Sequence, residues 1–321
     1  LQLSEIYAPI EADLAAVEEG LRSAGKIDAP WMNDLLGYAL KGGGKRLRPA
    51  LAILSAKFYK FDMARLLPLT TAVELMHLAT LVHDDTIDNS AMRWGRRTVN
   101  KLWGMEKAVL LGDYLFAKAG ALTASTDNLH VIKLLPETLM IITNGELAQA
   151  TDAFNIRQTR ERYYFRIACK TAALFVMATE SGAVLSDAPP AAVKALRDYG
   201  YNLGIAFQII DDILDYTGTE AEMGKPVGSD LLQGTVTLPG LMLAEKYPAD
   251  NPIKKFFENR EETEHVRKTI EMVRDSDIIP RCFDEAEAYR QKACEGLRRL
   301  PVNPARESLL ALAEFIVQRR R

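Results

Sequence analysis

Three observations predict an all-α fold, with the whole chain, 1–321, forming one large domain. Apolar residues recur at spacings of three and four through almost every segment, the period of a helix with one buried face. No convincing period-two run is flanked by hairpin turns. Prolines fall between the periodic stretches rather than inside them (Pro30, Pro49, Pro68, Pro136, Pro189, Pro190, Pro248, Pro280 and Pro301), where they suit helix starts and interhelical turns.

The final element shows the pattern most clearly. Asn303 can cap a helix, Pro304 fits its first position, and Leu309, Leu312, Ala313, Ile316 and Val317 form an apolar stripe. Arg319 to Arg321 then complement the negative end of the helix dipole. No Ser/Gly-rich linker, low-complexity tract or fixed-period repeat divides the chain. Residues 250–300 carry more charge and are expected to form more exposed helices.

Composition narrows the function. With 321 residues, 48% of them apolar and 26% charged, the chain can fill a core. Its formal net charge of −3 lacks the basic excess of a nucleic-acid binder. No uninterrupted apolar run reaches the roughly 18 residues of a membrane span. The opening stretch, LQLSEIYAPIEADLAAVEEG, has acids where a secretion signal carries base and then an apolar block, so export is not expected. Cys169, Cys282 and Cys294 have neither metal-ligand spacing nor an even count, which points to a reducing, cytoplasmic location.

Two acidic clusters stand out. The apolar stretch LLPLTTAVELMHLATLVHDDTID closes on Asp84, Asp85 and Asp88, and GIAFQII is followed by Asp211, Asp212 and Asp215. In each, the first and last carboxylates are one turn apart on one helix face, an arrangement that repels itself unless a cation lies between. A single cluster reads most simply as a solvated helix end. The same Asp-Asp-x-x-Asp pattern twice, each time closing a hydrophobic helix, points to a shared cation. Oxygen ligands without nearby His or Cys favour Mg²⁺, which is commonly held by one or two carboxylates together with substrate phosphate oxygens.

Below Asp84 the helix presents Thr80, His77, Met76 and Val73 toward the same side, His77 within about 20° of the Asp84 direction. Gln208 lies one turn below the second cluster. Taken without the aspartates, this face is ordinary core packing; with them, it is a polar mouth above an apolar shaft, suited to a charged head and a hydrocarbon tail. Four sets of basic residues could hold the head: KGGGKRLRP with Lys45, Arg46 and Arg48, NSAMRWGRR with Arg93, Arg96 and Arg97, Lys170-Thr171 within an apolar helix, and GKPVGSD with Lys225 and Asp230. The glycine run is not a nucleotide P-loop, because the Gly-Lys-Ser/Thr ending is missing.

GGKRLRP, HDDTIDNSAMR, FQIIDDILD and GKPVGSD, taken together, resemble the trans-type isoprenyl diphosphate synthases, or polyprenyl synthetases, from about Leu35 to Pro239. The resemblance implies a bundle of antiparallel helices around a deep central cavity, as a homodimer. It implies head-to-tail condensation of isopentenyl diphosphate with an allylic diphosphate. Asp84 and Asp88 would hold two Mg²⁺ ions and Asp211 a third, with Asp85, Asp212 and Asp215 assisting through water or outer contacts. Lys45, Arg48 and His77 would bind isopentenyl diphosphate. Arg93, Lys170 and Lys225 would grip the allylic diphosphate, with Thr171 and Gln208 beside the reacting centre. A membrane span is not expected, although peripheral contact would suit release of a greasy product.

Two positions depart from the family pattern: Trp94 stands where a second arginine is usual, and Thr235 where a lysine is usual. Arg96 or Arg97 is the expected compensation for the first. Small residues, Ala79 and Thr80, occupy the positions where an aromatic side chain shortens the product, so a geranylgeranyl or longer diphosphate is expected. The floor then falls to Met76, Val73 or the stretch ETLMIITNGELAQA. Rival readings are a terpene cyclase, against which the repeated aspartates argue, and a catalytically weak or silent subunit of a heteromeric synthase.

Overall fold

The computed structural model describes residues 2–24, 30–41, 44–219 and 226–319. Helices dominate throughout, and the one sheet among the described residues is a hairpin of two-residue strands, Met92–Arg93 and Arg96–Arg97. Two residues per strand are too few for an alternating pattern, so the hairpin escaped the periodicity criterion. Its turn is set by Trp94 (φ 50°) and Gly95 (φ 74°), the paired left-handed residues that match strand twist.

The backbone groups into two compact units. The first comprises the described residues of Leu1–Leu139, Leu174–Gly200 and Gly296–Leu312. Its central element is the 25-residue helix Met63–Ile87, which Asp62 starts by accepting a hydrogen bond from the Ala64 amide (2.9 Å). Leu69, Ala72, Val73, Met76 and Ala79 are all fully buried along it. The helix Met105–Ala124 packs along its length. Gly112 permits that approach, since a Cβ there would fall 2.0 Å from His83 Nε2. On another side, Gly182 of Ala173–Leu185 meets the helix Leu47–Ala56 so closely that a Cβ would sit 2.2 Å from the Ala52 carbonyl oxygen.

The second unit comprises the described residues of Met140–Ala173, Tyr201–Glu295 and Ala313–Arg321. Its core joins Ile205, Ile209 and Ile213 of the helix Pro190–Thr217 to Leu238, Met242, Phe256, Val273 and Cys282. Helix Arg160–Ile167 continues through a π-helical turn, Ala168–Ala172, that contains Lys170 and Thr171. Such turns concentrate at functional sites because the inserted residue re-aims its neighbours. Two glycines accommodate it: a Cβ at Gly204 would fall 2.5 Å from Ala172 Cα, and one at Gly145 would fall 2.6 Å from Cys169 Cβ.

Most sequence expectations hold here. Asn303 accepts a hydrogen bond from the Arg306 amide (2.9 Å) to start Pro304–Gln318, and Leu309, Leu312, Ala313 and Ile316 are buried. Pro68 and Pro136, however, lie inside the helices Met63–Ile87 and Leu129–Asp152. Each removes one backbone hydrogen bond, a local cost that burial of neighbours such as Leu66 and Leu69, or Val131 and Leu135, offsets. Arg319 does more than complement a dipole, because it pairs with Asp211; 320–321 lie outside the described residues. Two helical stretches, Met63–Ile87 and Arg160–Leu185, are long and apolar enough to cross a membrane, but 61% and 78% of their most apolar windows are buried in the protein. All three cysteines are buried free thiols.

The glycine contacts make a stability prediction. Gly182→Ala is expected to destabilise the protein by about 1–3 kcal/mol. Gly120→Ala, on the helix Met105–Ala124 with nothing within 4 Å of the new Cβ, should be neutral or stabilising by up to about 1 kcal/mol. Urea unfolding of the two variants separates these outcomes.

Candidate active site

In the first unit, the acidic residues crowd the C-terminal end of Met63–Ile87, where the helix dipole is already negative. Asp84 is half-buried, Asp85 is buried and Asp88 is exposed at the C-cap, its amide bonded to the Asp84 carbonyl. Burial raises the Asp85 carboxyl, and Asp84 raises it further, while Arg93 opposes both. Arg93 holds both Asp85 oxygens, with Nε at 2.9 Å from each and Nη2 at 2.8 Å from Oδ1. The hairpin thus fixes Arg93 against the helix end.

One to two turns down the same helix, His77 lies in the field of Arg48, Arg93 and Arg46. Burial first, and these cations second, push its imidazole well below the usual histidine range, so the ring is neutral. Arg48 is lowered to about 10 by burial and stays charged at neutral pH; its guanidinium lies 5.2 Å from the Phe175 ring, and its Nε is buried without a partner. Lys45 is exposed, and its carbonyl accepts from Tyr7 (3.0 Å). The structure therefore gathers Arg48, Arg93 and His77 into one electropositive group beside the acid-tipped helix end, with Lys45 on the adjoining loop.

The second unit builds a hydrogen-bonded chain. Thr171 donates to Gln208 Oε1 (2.6 Å), Gln208 Nε2 donates to Asp212 Oδ1 (2.9 Å), and the Tyr163 hydroxyl donates to Asp212 Oδ2 (2.7 Å). Asp212 is fully enclosed; burial, followed by repulsion from Asp230, raises its carboxyl to about 7. Lys170 pairs with Glu146 (2.7 Å). Asp211, half-buried, pairs with Arg319, whose guanidinium also covers the Phe207 ring.

The remaining predicted residues take the following places. Gln208, one turn below Asp211 on the helix Pro190–Thr217, also supports Asp212, four residues on. Asp215 is buried and anchors the following loop, accepting from Ser229 Oγ (3.0 Å) and the Asp230 amide (3.4 Å). Arg96 and Arg97, the expected compensation for Trp94, lie in the second strand of the hairpin. Arg96 lies over the Tyr38 ring at 4.1 Å, Arg97 is exposed, and Trp94 is 53% exposed at the hairpin tip. Thr235 is buried, its amide bonded to the Asp230 carbonyl. Lys225 lies outside the described residues. Sequence reading missed Tyr163, Glu146 and Arg319. Tyr163 had one signal, its position seven residues before Lys170 on the same helical stripe.

Among the described residues, no three His, Cys, Asp or Glu side chains already form a cation cage. The donor set nevertheless fits a hard divalent ion shared with a phosphate: each helix end carries oxygen ligands at its negative pole, and no His or Cys joins them. Zinc-type coordination does not fit.

Comparison with known proteins agrees with this chemistry. A family model described as polyprenyl synthetase matches residues 29–273. Heptaprenyl diphosphate synthase component 2 of Geobacillus stearothermophilus is 37% identical over 319 residues, spanning 99% of each chain. Octaprenyl diphosphate synthase of Escherichia coli is 33% identical across 100% of each. The crystal structure of a polyprenyl synthase from Caulobacter crescentus, complexed with calcium and isoprenyl diphosphate, superposes with a TM-score of 0.94 at 35% identity, covering 100% of this chain and 98% of that one. A decaprenyl diphosphate synthase from Rhodobacter capsulatus gives 0.92 at 34% identity over 100% of both. An all-α chain with two acid-tipped helices and a basic group beside one of them therefore belongs to the polyprenyl synthetase family, the trans-prenyltransferases that extend an allylic diphosphate with isopentenyl diphosphate.

Proposed function

We propose that this chain is a Mg²⁺-dependent synthase of a long polyprenyl diphosphate, with 1–321 acting as one catalytic domain. The observation that carries the reading is the helix Met63–Ile87, which ends in Asp84, Asp85 and Asp88 with Arg93 held on Asp85 and which carries His77 in the field of Arg48, Arg93 and Arg46. Asp84, Asp88 and Asp211 would hold three Mg²⁺ ions, which supply Lewis-acid neutralisation of the departing diphosphate. Lys45, Arg48 and His77 bind isopentenyl diphosphate, His77 by a neutral N–H. Arg93, Lys170 and Lys225 orient the allylic diphosphate. Thr171 and Gln208, locked by Asp212 and Tyr163, present fixed dipoles to the reacting centre. The allylic C–O bond breaks, the isopentenyl double bond attacks the delocalised cation, and a proton leaves to the diphosphate. Apolar walls keep water from capturing the cation.

Thr80 is half-buried, while Met76 and Val73 have no exposure at all. On this reading a growing tail would pass the small Thr80 and be stopped at Met76 or Val73, giving a product longer than a farnesyl chain. The buried free thiols support a cytoplasmic location. For assembly we favour a homodimer through the exposed apolar face of Met105–Ala124, where Met105, Val109 and Leu110 are 65%, 40% and 49% exposed. A two-component enzyme is the second reading, supported by two relatives, 37% and 36% identical, named heptaprenyl diphosphate synthase component 2.

Three outcomes test this account. The purified chain alone, given Mg²⁺, labelled isopentenyl diphosphate and a series of allylic primers, should elongate them, and EDTA should abolish the activity. Asp84→Ala and Asp211→Ala should each lower kcat by about 10²–10³, with the double variant little worse than either. Full additivity, or inactivity of the chain without a second component, rejects the single-chain catalyst. In the same assay Thr80→Phe should shorten the product, and an unchanged chain-length distribution refutes the open upper shaft.

A separate outcome concerns pH. The folded His77 pKa lies below its ordinary 6.5, so the unfolded chain binds the proton more readily, and this contribution to stability is lost as pH falls through 6.5. Asp212, raised from 3.8 to about 7, acts in the opposite sense over that window. The difference between wild type and His77→Gln isolates the histidine: below about pH 6.5, wild type should lose stability relative to the variant. Parallel stability–pH curves from urea unfolding would remove the case for a buried neutral imidazole.

A further inference from the structure

The segment Gly44–Arg48, a short loop running into the helix Leu47–Ala56, carries an arginine, Arg46, to which no substrate role is assigned above. Arg46 precedes the helix Leu47–Ala56 in a left-handed conformation (φ 47°, ψ 35°), which is unfavourable for a residue with a Cβ. Its side chain turns into the protein, where Nε lies 2.5 Å from Glu18 Oε1 and Nη1 lies 2.7 Å from Glu74 Oε1. Glu74 is only 7% exposed and sits on Met63–Ile87, three residues before His77. Glu18 comes from the helix Glu11–Ala24. Tyr7, next to the Glu11–Ala24 helix in sequence, donates to the carbonyl of Lys45.

We propose that Glu74 and Glu18, acting through Arg46, are positioning residues for the isopentenyl diphosphate subsite. The inference rests on assigning Lys45, Arg48 and His77 to that subsite. Arg46 stands between two substrate-binding cations. Left unpaired, it would add a third positive charge to the loop and free the backbone to leave its strained turn. The two carboxylates more than offset that charge and fix the turn, so Lys45 and Arg48 are held on either side of a clamped residue. Glu74 couples this clamp to the His77 helix, giving the loop and the imidazole a common anchor. Its field also acts on Arg48, favouring the charged guanidinium against the burial that lowers it. The proposed allylic site, by contrast, draws on Arg93 and Lys170, which pair with Asp85 and Glu146.

The test separates the two substrates. Steady-state kinetics of Glu74→Gln should show the KM for isopentenyl diphosphate raised about tenfold, with the allylic KM within about twofold of wild type. Glu18→Gln, at a carboxylate 41% exposed, should move the same constant by about threefold and keeps the test available if Glu74→Gln does not fold. Arg46→Lys should recover part of the affinity that Arg46→Met loses. Equal shifts in both KM values, or folded variants with lower thermal stability and an unaltered isopentenyl diphosphate KM, overturn the positioning role and leave only a structural one. Arg48→Ala serves as the control for the subsite. If it raises the isopentenyl diphosphate KM while Glu74→Gln does not, only the positioning inference fails; if it has no effect, the subsite assignment itself is wrong.

Discussion

Carboxylates placed at the negative ends of buried helices are the constraint around which this protein is organised. Such groups repel one another, oppose the helix dipole and lose solvation, and no helix keeps them without compensation. The compensation differs between the two Asp-Asp-x-x-Asp motifs. In both, the second aspartate is buried and satisfied by the protein: Asp85 by the Arg93 guanidinium, Asp212 by Tyr163 and Gln208. In both, the first aspartate is half-buried. The third position breaks the symmetry, because Asp88 is exposed at a C-cap whereas Asp215 is sealed beneath the Ser229–Asp230 turn. A repeated motif thus leaves two carboxylates at least partly exposed at one helix end, Asp84 and Asp88, and one at the other, Asp211, which pairs with Arg319. That unequal supply matches the proposed division of two metal ions with Asp84 and Asp88 and a third with Asp211.

The choice of partner for each inner aspartate has chemical consequences. A bidentate arginine opposes the rise that burial imposes on the Asp85 carboxyl, and the pairing holds Arg93 at a defined place beside the helix end. Neutral donors do less for Asp212, whose carboxyl rises to about 7. In exchange, they chain Asp212 to Gln208 and Thr171, so the ordering of one buried acid also sets the amide and hydroxyl dipoles of the π-helical turn. Gly145 and Gly204 belong to the same arrangement, since a side chain at either would push on residues 169–172.

The long helices, the Asn303 cap, the acid clusters and the basic sets were all legible, because each depends on residue type at a local spacing. What escaped depends on where the chain returns. Pro68 and Pro136 read as breaks by local cost, yet tertiary burial on both sides of each carries the helix through. Asp215 reads as an assisting member of the acidic cluster; only the return of the Ser229–Leu232 segment shows which groups engage its oxygens. Arg319 lies more than a hundred positions from Asp211, beyond the reach of any spacing rule. Trp94 is the instructive intermediate. Its identity departs visibly from the family pattern, but its meaning depends on the hairpin, whose tip faces solvent and brings the indole within 5.9 Å of the Arg93 guanidinium. A cation at that tip would stand beside Arg93; an aromatic there instead gives Arg93 a face to rest against.

In the proposed synthase, chain length would follow from what the helix below Asp84 can yield. Thr80 lies about 6 Å down and is half-buried, and Met76, about 12 Å down, is fully buried with Val73 a further turn below. A growing hydrocarbon tail passing Thr80 would then meet methionine first. Methionine is unbranched and has three rotatable bonds, so it can be displaced at less cost than the β-branched Val73, which has one stiff torsion and packed neighbours. The floor is then graded rather than rigid: a compliant layer over a firm one. Displacement of Met76 draws on the same apolar transfer energy that each added isoprene unit provides, roughly 0.8 kcal/mol per buried methylene. Elongation continues while that gain exceeds the cost of repacking, and it stops at the layer whose side chains have no rotamer left to adopt.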